Sequence, residues 1–368
     1  MTHSSSLLGE RDRVLLIRLG AVGDVLRTLP ALHLIRRTFP ATHLAWIVED
    51  LSRDLLEGHP EIDELIRFPV RELRAVTARP TRLWAGLASL SRSLRARQFS
   101  VAVDFQGSFK SGLVACLSGA PRRLGFAAGH CREMSFLLSN QHVRPPSRTL
   151  NRVEKNLLLA DHLGAVGDEV TALLPEREED GRRADAILRE LVPRGRAVVL
   201  LSPGTSRRQR HKRWPAEYFA RLASLMRESL DTLSLVVWGP GEEGTAQAVV
   251  VGSGGAALMA PPTDLRTLAA LLRRSRLFVG ADTGPMHLAW LVGCPVVALF
   301  GPTDPRLNSP LGPEHVVLNG AGSTASIRPE EVVTAGGRIL ARSALNRIPA
   351  AAPRLSRAAL FPAVAGRD

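Results

Sequence analysis

The sequence predicts an α/β protein of two Rossmann-like, doubly wound domains facing a central cleft, and three observations carry that expectation. Short β-branched or Leu-rich runs alternate with helical patterns along most of the 368 residues, which means βαβ units and parallel sheets covered on both faces. The alternation lapses once, at residues 174–183, in a charged stretch without apolar periodicity, and then resumes. The polar motifs fall at strand-to-helix turns, where the ligands of such sheets sit.

The elements follow in order. A strand over 13–19 leads into a helix over 24–38, in which Val25, Leu29, Leu32 and Ile35 recur at helical spacing. Strands over 43–48, 65–68 and 100–104 come next, with a helix over 82–96 between the last two, and helices over 109–118 and 152–163 follow. After the lapse, a strand over 197–201 leads to a helix over 216–228, and a strand over 233–238 to a helix over 245–251. A helix over 265–274, a strand over 277–280, a helix over 286–292 and a strand over 296–300 complete the series. The expected domains are 1–175 and 176–343; residues 344–368, rich in Ala, Pro and Arg without periodicity, are expected to form a poorly ordered tail.

Composition narrows the function classes. With 45% apolar and 23% charged residues, collagen, coiled coil and wholesale disorder are excluded. The cysteines, Cys116, Cys131 and Cys294, lie far apart without a CxxC pair, which argues against a disulfide scaffold or a thiolate zinc site and fits a reducing compartment. The polar start of the chain lacks a signal-peptide core. The uncharged stretch 283–303 is broken by Pro285, Gly293, Pro295, Gly301 and Pro302, so no spanning helix is expected and the location expected is cytoplasmic.

Lys and Arg total 48 against 35 acids, a net charge of +13. That excess favours anionic partners: nucleic acid, acidic lipid or phosphorylated substrate. Nucleic acid is disfavoured, because aromatics are only 5% and the arginines are scattered rather than striped. Only Lys110, Lys155 and Lys212 are lysines, so each is unexpected in an Arg-dominated chain.

Five turns could carry chemistry. The first, from Arg18 through Gly23 to Asp24, follows a strand and opens a helix, so its N–H groups and dipole suit an anion. Asp24 there is either an N-cap or a carboxylate poised as a general base. In the second, Gly107 can supply an unusual φ, while Gln106, Lys110 and Ser111 gather hydrogen-bonding groups at another strand end. The third places Thr205 and Ser206 ahead of five basic residues, Arg207, Arg208, Arg210, Lys212 and Arg213, with Pro215 able to start a helix. It is either a solvated basic loop or a clamp for a diphosphate. The fourth, from Gly239 to Gly244, is a literal GxGxxG, but Glu242 and Glu243 would repel a pyrophosphate, and a carboxylate there suits sugar hydroxyls better. In the fifth, Asp282, Thr283 and Gly284 offer N–H donors and a hydroxyl to a phosphate, with His287 one turn further on the same face; a lone His is usually structural, but this one points toward the anion site. No His/Asp/Glu cluster has metal spacing, so neither metal nor cofactor is expected.

Taken in order, Gly20-Ala-Val-Gly-Asp24-Val, Asp104-Phe-Gln-Gly-Ser-Phe-Lys-Ser111, Lys212-Arg-Trp-Pro215, Asp282-Thr-Gly-Pro-Met-His287 and Gly301-Pro-Thr-Asp-Pro305 resemble the ADP-heptose:lipopolysaccharide heptosyltransferase family, inverting glycosyltransferases of GT-B fold. The resemblance covers roughly residues 13–318. It implies an N-terminal acceptor domain, a C-terminal nucleotide-sugar domain and no required metal. Asp24 then resembles the catalytic base and Lys212 the lysine that neutralises the donor diphosphate. Thr283 and Gly284 resemble the phosphate-contacting pair, with Asp282, His287, Thr205 and Ser206 on the donor side. Gly23, Gln106, Gly107 and Lys110 fall on the acceptor side. Gly241 stands closest to where the family has its ribose-binding Glu, so Glu242 or Glu243 must serve. The implied partners are an ADP-sugar and a phosphorylated acidic glycolipid (lipid A–Kdo or heptosyl-Kdo), with peripheral contact at the inner face of the cytoplasmic membrane. A nucleotide-sugar epimerase of the same fold and a non-catalytic protein for anionic surfaces are the alternatives.

Overall fold

A computed structural model describes residues 8–9, 11–75, 80–193, 195–346 and 355–356. These belong to two compact units, Met1–Leu173 with Ser356–Asp368, and Leu174–Leu355.

The first unit runs β1 (Arg13–Ile17), α1 (Val22–Leu26), α2 (Leu29–Thr38), β2 (His43–Val48), α3 (Asp50–Leu56), β3 (Glu64–Arg67), α4 (Val70–Ala75), α5 (Pro80–Arg95), β4 (Val101–Asp104), α6 (Phe109–Leu117), β5 (Arg122–Phe126), β6 (Gln141–Val143), α7 (Arg152–His162) and β7 (Glu169–Val170). Six strands form one parallel sheet in the order β3-β2-β1-β4-β5-β6. Strand β1 lies at its centre, Leu15 opposite Ala45 on one side and Ala102 on the other. Its residues beyond Arg13 are all buried, as a parallel strand covered on both faces requires. Leu15, Ile17, Ala45 and Ile47 pack with Leu94 and Val114 in one core cluster.

The second unit runs α8 (Glu178–Leu191), β8 (Ala197–Ser202), α9 (Ala216–Leu230), β9 (Thr232–Val236), α10 (Glu243–Gly252), β10 (Ala257–Met259), α11 (Leu265–Arg273), β11 (Leu277–Ala281), α12 (Gly284–Leu291), β12 (Val296–Phe300), α13 (Pro305–Asn308), β13 (Val316–Asn319) and α14 (Pro329–Asn346). Its six parallel strands repeat the pattern, β10-β9-β8-β11-β12-β13. In each sheet the order reverses beside the first strand, between β1 and β4 and between β8 and β11. Such reversals are where α/β sheets open a crevice for a ligand at the carboxyl ends of the strands.

Several elements differ from expectation. The helix over 24–38 is two helices, parted at Arg27 and Thr28 just ahead of Pro30, and Thr28 Oγ1 donates to Asp24 O at 2.9 Å across the break. The charged stretch at 174–183 is not irregular throughout: α8 starts at Glu178 and buries Asp180, Gly181 and Ala184, a stripe of small and acidic residues that carries no hydrophobic signal. Strands β5, β6, β10 and β13 and helix α14 have no counterpart in the sequence reading. Residues 344–346, assigned to the tail, belong to α14, while 347–354 and 357–368 lie outside the described residues. Among the described residues no helix is long and apolar enough to cross a membrane.

Candidate functional site

At the first reversal the turn after β1 meets the turn after β4. Helix α1 is capped at Ala21 with no side-chain cap bond, so Asp24 is its third residue and the carboxylate is not used as an N-cap. It pairs instead with Arg18 Nη2 at 3.1 Å and with Arg27 Nη2. Both guanidinium contacts fall on Oδ1, and the side chain is 26% exposed. Burial alone would raise this carboxyl, but Arg18, Arg27 and Arg152 outweigh it and hold the group well below the usual carboxylate range. Asp24 is therefore an anion throughout the neutral range.

Arg18 is buried, donates Nη1 to Phe105 O, and keeps Nε without a hydrogen-bond partner among the described residues. Gln106 Oε1 accepts from Leu19 N at 2.9 Å, a second stitch between the turns. Asp104, the last residue of β4, accepts from Gln106 N at 3.0 Å and Gly107 N at 2.9 Å through Oδ1. Desolvation nevertheless pushes its carboxyl up to about 6, against those bonds and the charge of Arg18. Gly107 has φ +62°, a backbone conformation that favours glycine, while a Cβ there would meet Cys131 Cβ at 3.4 Å and the Phe126 ring at 3.5 Å, ordinary contact distances. Lys110 Nζ donates to Glu49 Oε1 and stands 5.5 Å over the Phe68 ring; Gly23 is buried in the first turn of α1.

At the second reversal the polarity is opposite. Lys212 ends a 3-10 segment, Arg207–Lys212, in the turn after β8 and is only 9% exposed. Its Nζ donates to Asp282 Oδ2 at 2.9 Å and Asp282 O at 3.1 Å. Asn308 Nδ2 donates to the same Oδ2 at 3.0 Å, and His287 Nε2 lies 3.3 Å from Oδ1. Burial would raise the Asp282 carboxyl, but His287 and Lys212 hold it well below the usual range. A buried ammonium fixed by a fully engaged carboxylate is a charge placed in advance of any ligand.

Around it, Thr283 is the cap residue of α12 and donates its hydroxyl to Ala281 O at 3.2 Å, and Gly284 opens the helix. Its first N–H groups thus lie at the carboxyl end of β11. Arg213 grips Thr205, Nε to Oγ1 at 3.1 Å and Nη2 to O at 2.9 Å, and Ser206 follows exposed. Glu242 folds back so that Oε2 accepts from Gly239 N at 2.9 Å and the side chain fills the space over Gly204, where a Cβ has no room. Glu243 is exposed at the start of α10. The structure thus brings Glu242, not Glu243, to the turn after β8.

Within each unit the candidate residues other than Glu243 lie at or reach the turns beside one reversal. His287 is the exception in orientation: it is buried, with its imidazole against Asp282 rather than aimed at an open anion site. Arg18, Arg27, Arg152 and Asn308 were not singled out. The spacing of Arg27, three residues after Asp24 in a helix, was a usable signal; Asn308, 26 residues from Asp282, offered none. Among the described residues no group of three His, Cys, Asp or Glu is placed to hold a metal ion.

Comparison with known proteins places the chain in a family. The model of glycosyltransferase family 9 (heptosyltransferase) matches residues 87–332. Lipopolysaccharide heptosyltransferase 1 of Escherichia coli O18:K1:H7 is 26% identical over 318 residues, covering 85% of this chain and 93% of the relative. A glycosyl transferase family 9 structure from Veillonella parvula superposes with a TM-score of 0.79 at 23% identity, covering 91% of this chain and 99% of that one. The E. coli heptosyltransferase WaaC with ADP superposes with a TM-score of 0.69 at 25% identity, covering 88% and 98%. The two doubly wound units are those of the GT-B fold, and the chain belongs to glycosyltransferase family 9, the heptosyltransferases.

Proposed function

We propose that the chain transfers a heptose from ADP-heptose to a lipopolysaccharide inner-core acceptor in one inverting displacement, with Asp24 receiving the acceptor proton and Lys212 meeting the charge of the leaving diphosphate. Family membership supports transfer over the epimerase and surface-binding alternatives. The observation that carries the residue assignment is Asp24 itself: it is partly exposed at a sheet reversal, free of any capping duty, with both arginines on Oδ1 and Oδ2 left for a substrate.

The acceptor oxygen attacks the anomeric carbon as the bond to the diphosphate breaks, its electron pair leaving with ADP. The acceptor proton passes to Asp24 Oδ2. A carboxylate held below its usual range is a weak base toward an alcohol, but once the new C–O bond forms the oxygen is cationic and strongly acidic. The same charge logic serves inverting glycosidases. Lys212 and the N–H groups at Gly284 stabilise the growing diphosphate charge, the preorganised electrostatic contribution that is commonly the largest. Thr205, Ser206 and Thr283 line the same donor turns, and the fold of Glu242 over Gly204 supports it, rather than Glu243, as the acceptor of hydrogen bonds from the ribose hydroxyls. Gln106, Gly107 and Lys110 border the acceptor. The net charge of +13 supports a phosphorylated, acidic glycolipid as acceptor and peripheral contact with anionic headgroups on the cytoplasmic side.

The test is Asp24→Ala in the full chain. ADP affinity by calorimetry should be retained while transfer falls by about 10²–10⁴, the usual worth of a positioned base. Transfer at the wild-type rate would end the assignment.

A further inference from the structure

The turn after β8 carries five Lys or Arg residues, and the structure treats them in three ways. Lys212 is buried and fixed on Asp282, and Arg213 is spent on Thr205. Arg207, Arg208 and Arg210 remain, all exposed on the 3-10 segment Arg207–Lys212. Among the described residues none of these three side chains has a hydrogen bond or an ion pair. Elsewhere in the same unit exposed arginines find acids within a turn, such as Arg183 with Glu179 at 2.5 Å and Arg306 with Asp304 at 2.8 Å. Here the sequence supplies no such acid, for neither Asp nor Glu occurs from Leu191 to Ala216. Glu242 reaches the same turn from the neighbouring strand end, but it lies over Gly204 with Oε2 bonded to Gly239 N. Asp282 is already claimed by Lys212, Asn308 and His287.

Position gives this uncompensated charge a target. A 3-10 segment rises about 2 Å per residue, so the three arginines start within about 10 Å of Lys212 along the chain. The Debye length is about 8 Å at physiological ionic strength and about 30 Å at 0.01 M. An anion bound for Lys212 and the N–H groups at Gly284 therefore enters the field of these guanidiniums before it reaches the site. Contact is not needed for an effect. Cations gathered beside a site raise the local concentration of an anion and speed its arrival by about 10–10³.

We propose that Arg207, Arg208 and Arg210 form an outer steering rim for the diphosphate end of the donor, drawing it toward Lys212 without being bonded to it in the complex. That the ligand is a nucleoside-diphosphate sugar rests on the proposed function; the field, and its preference for a diphosphate-sized anion, rest on the segment. The cations of this turn then divide the work. Lys212 is held in advance for the charge of the leaving group, and the three arginines act on arrival.

The test separates a field from a contact. ADP, pyrophosphate and adenosine are each titrated by calorimetry into the full chain, with KCl varied from about 0.02 to about 0.5 M so that the Debye length shrinks several-fold. The variants are R207Q/R208Q/R210Q and R207K/R208K/R210K. For ADP and pyrophosphate, the Gln variant should bind about tenfold more weakly than the parent at the lowest salt and within about twofold of it at the highest. Adenosine is uncharged and should bind all three proteins alike. The Lys variant should match the parent, because a field needs only charge whereas a bidentate clamp needs the guanidinium fork. Transfer should keep its kcat in both variants, with donor kcat/KM following the ADP affinities. A Gln variant with the parent's ADP affinity and salt slope overturns the rim. So does a loss that persists at the highest salt, or that Lys fails to restore in a variant melting like the parent, since either marks direct contact. Salt-dependent pyrophosphate binding that the Gln variant loses, in a chain that neither binds ADP nor transfers heptose, supports the rim and counts against the donor reading alone.

Discussion

The two sheet reversals share a strand order and invert its electrostatics. In the first, an acid is held by bases, Asp24 between Arg18 and Arg27. In the second, a base is held by an acid, Lys212 on Asp282. Exposure separates the two carboxylates: 26% for the Asp24 side chain and 4% for Asp282. Asp282 spends both oxygens on Lys212, Asn308 and His287 and serves to place a cation. Asp24 keeps an oxygen for substrate. On the proposed assignment, one backbone arrangement serves proton transfer in one unit and an anion in the other, and the side chains at the strand ends decide which.

The largest expected effects test that division of labour. Asp24→Asn keeps size and removes basicity, so transfer should drop by about 10²–10⁴ with ADP binding intact. Lys212→Met should do the reverse in kind: calorimetry should show weakened ADP binding, and kcat should fall by about 10²–10³, as when one preorganised stabiliser of transition-state charge is lost. If both variants weakened ADP binding equally, the two sites would not be specialised in this way.

Much of this was legible in the sequence because it is local. The strands over 43–48 and 296–300 are observed where periodicity put them, and Asp24, Gln106, Lys212 and Asp282 all sit at strand-to-helix turns. What was hidden depends on distant partners. Whether Asp24 caps its helix or faces a substrate turns on Arg18 across the turn, and the burial of His287 turns on Asp282 being claimed by Lys212, 70 residues away. Strands of three residues, β6 and β10, are too short for alternation to register, and their pairing is set by neighbours already in place. Glu242 and Glu243 are indistinguishable in sequence; the fold of the turn onto Gly204 separates them.

A smaller effect sharpens the first reversal. Asp24 lies well below the ordinary range, so it stays ionised until the pH falls through that depressed value, and it sets no acid limit near neutrality. Arg27→Gln removes one of the two guanidiniums and lets the carboxyl rise toward about 3.9. The acid limb of kcat/KM should move to higher pH, with less than about a tenfold change at neutral pH, one guanidinium remaining. An unmoved limb would mean that Arg18 and Arg152 alone hold the charge.

The smallest expected effect concerns two acids at corresponding strand ends, Asp104 closing β4 and Asp282 following β11. Both are buried, yet they shift in opposite directions, because Asp282 has the His287 imidazole and the Lys212 ammonium in contact whereas Asp104 has backbone N–H donors, the Ser111 side chain and a more distant guanidinium. For Asp104, near 6 when folded against about 3.9 unfolded, the folded state binds more protons between those values. Stability is then greatest below the unfolded value and is lost as pH rises through 6, by roughly 1.4 kcal/mol at most for each unit of the gap. Asp282 acts oppositely: its contribution is present at neutral pH and is lost only in acid, as pH falls through its depressed value. Asp104→Asn keeps an oxygen for the N–H groups of Gln106 and Gly107 and removes the charge. Its melting temperature should match the parent near pH 3, below the unfolded value, and exceed it near pH 8. A parent-like decline over that range in the variant would place the titrating group elsewhere, and the two strand ends would no longer differ for the reason given.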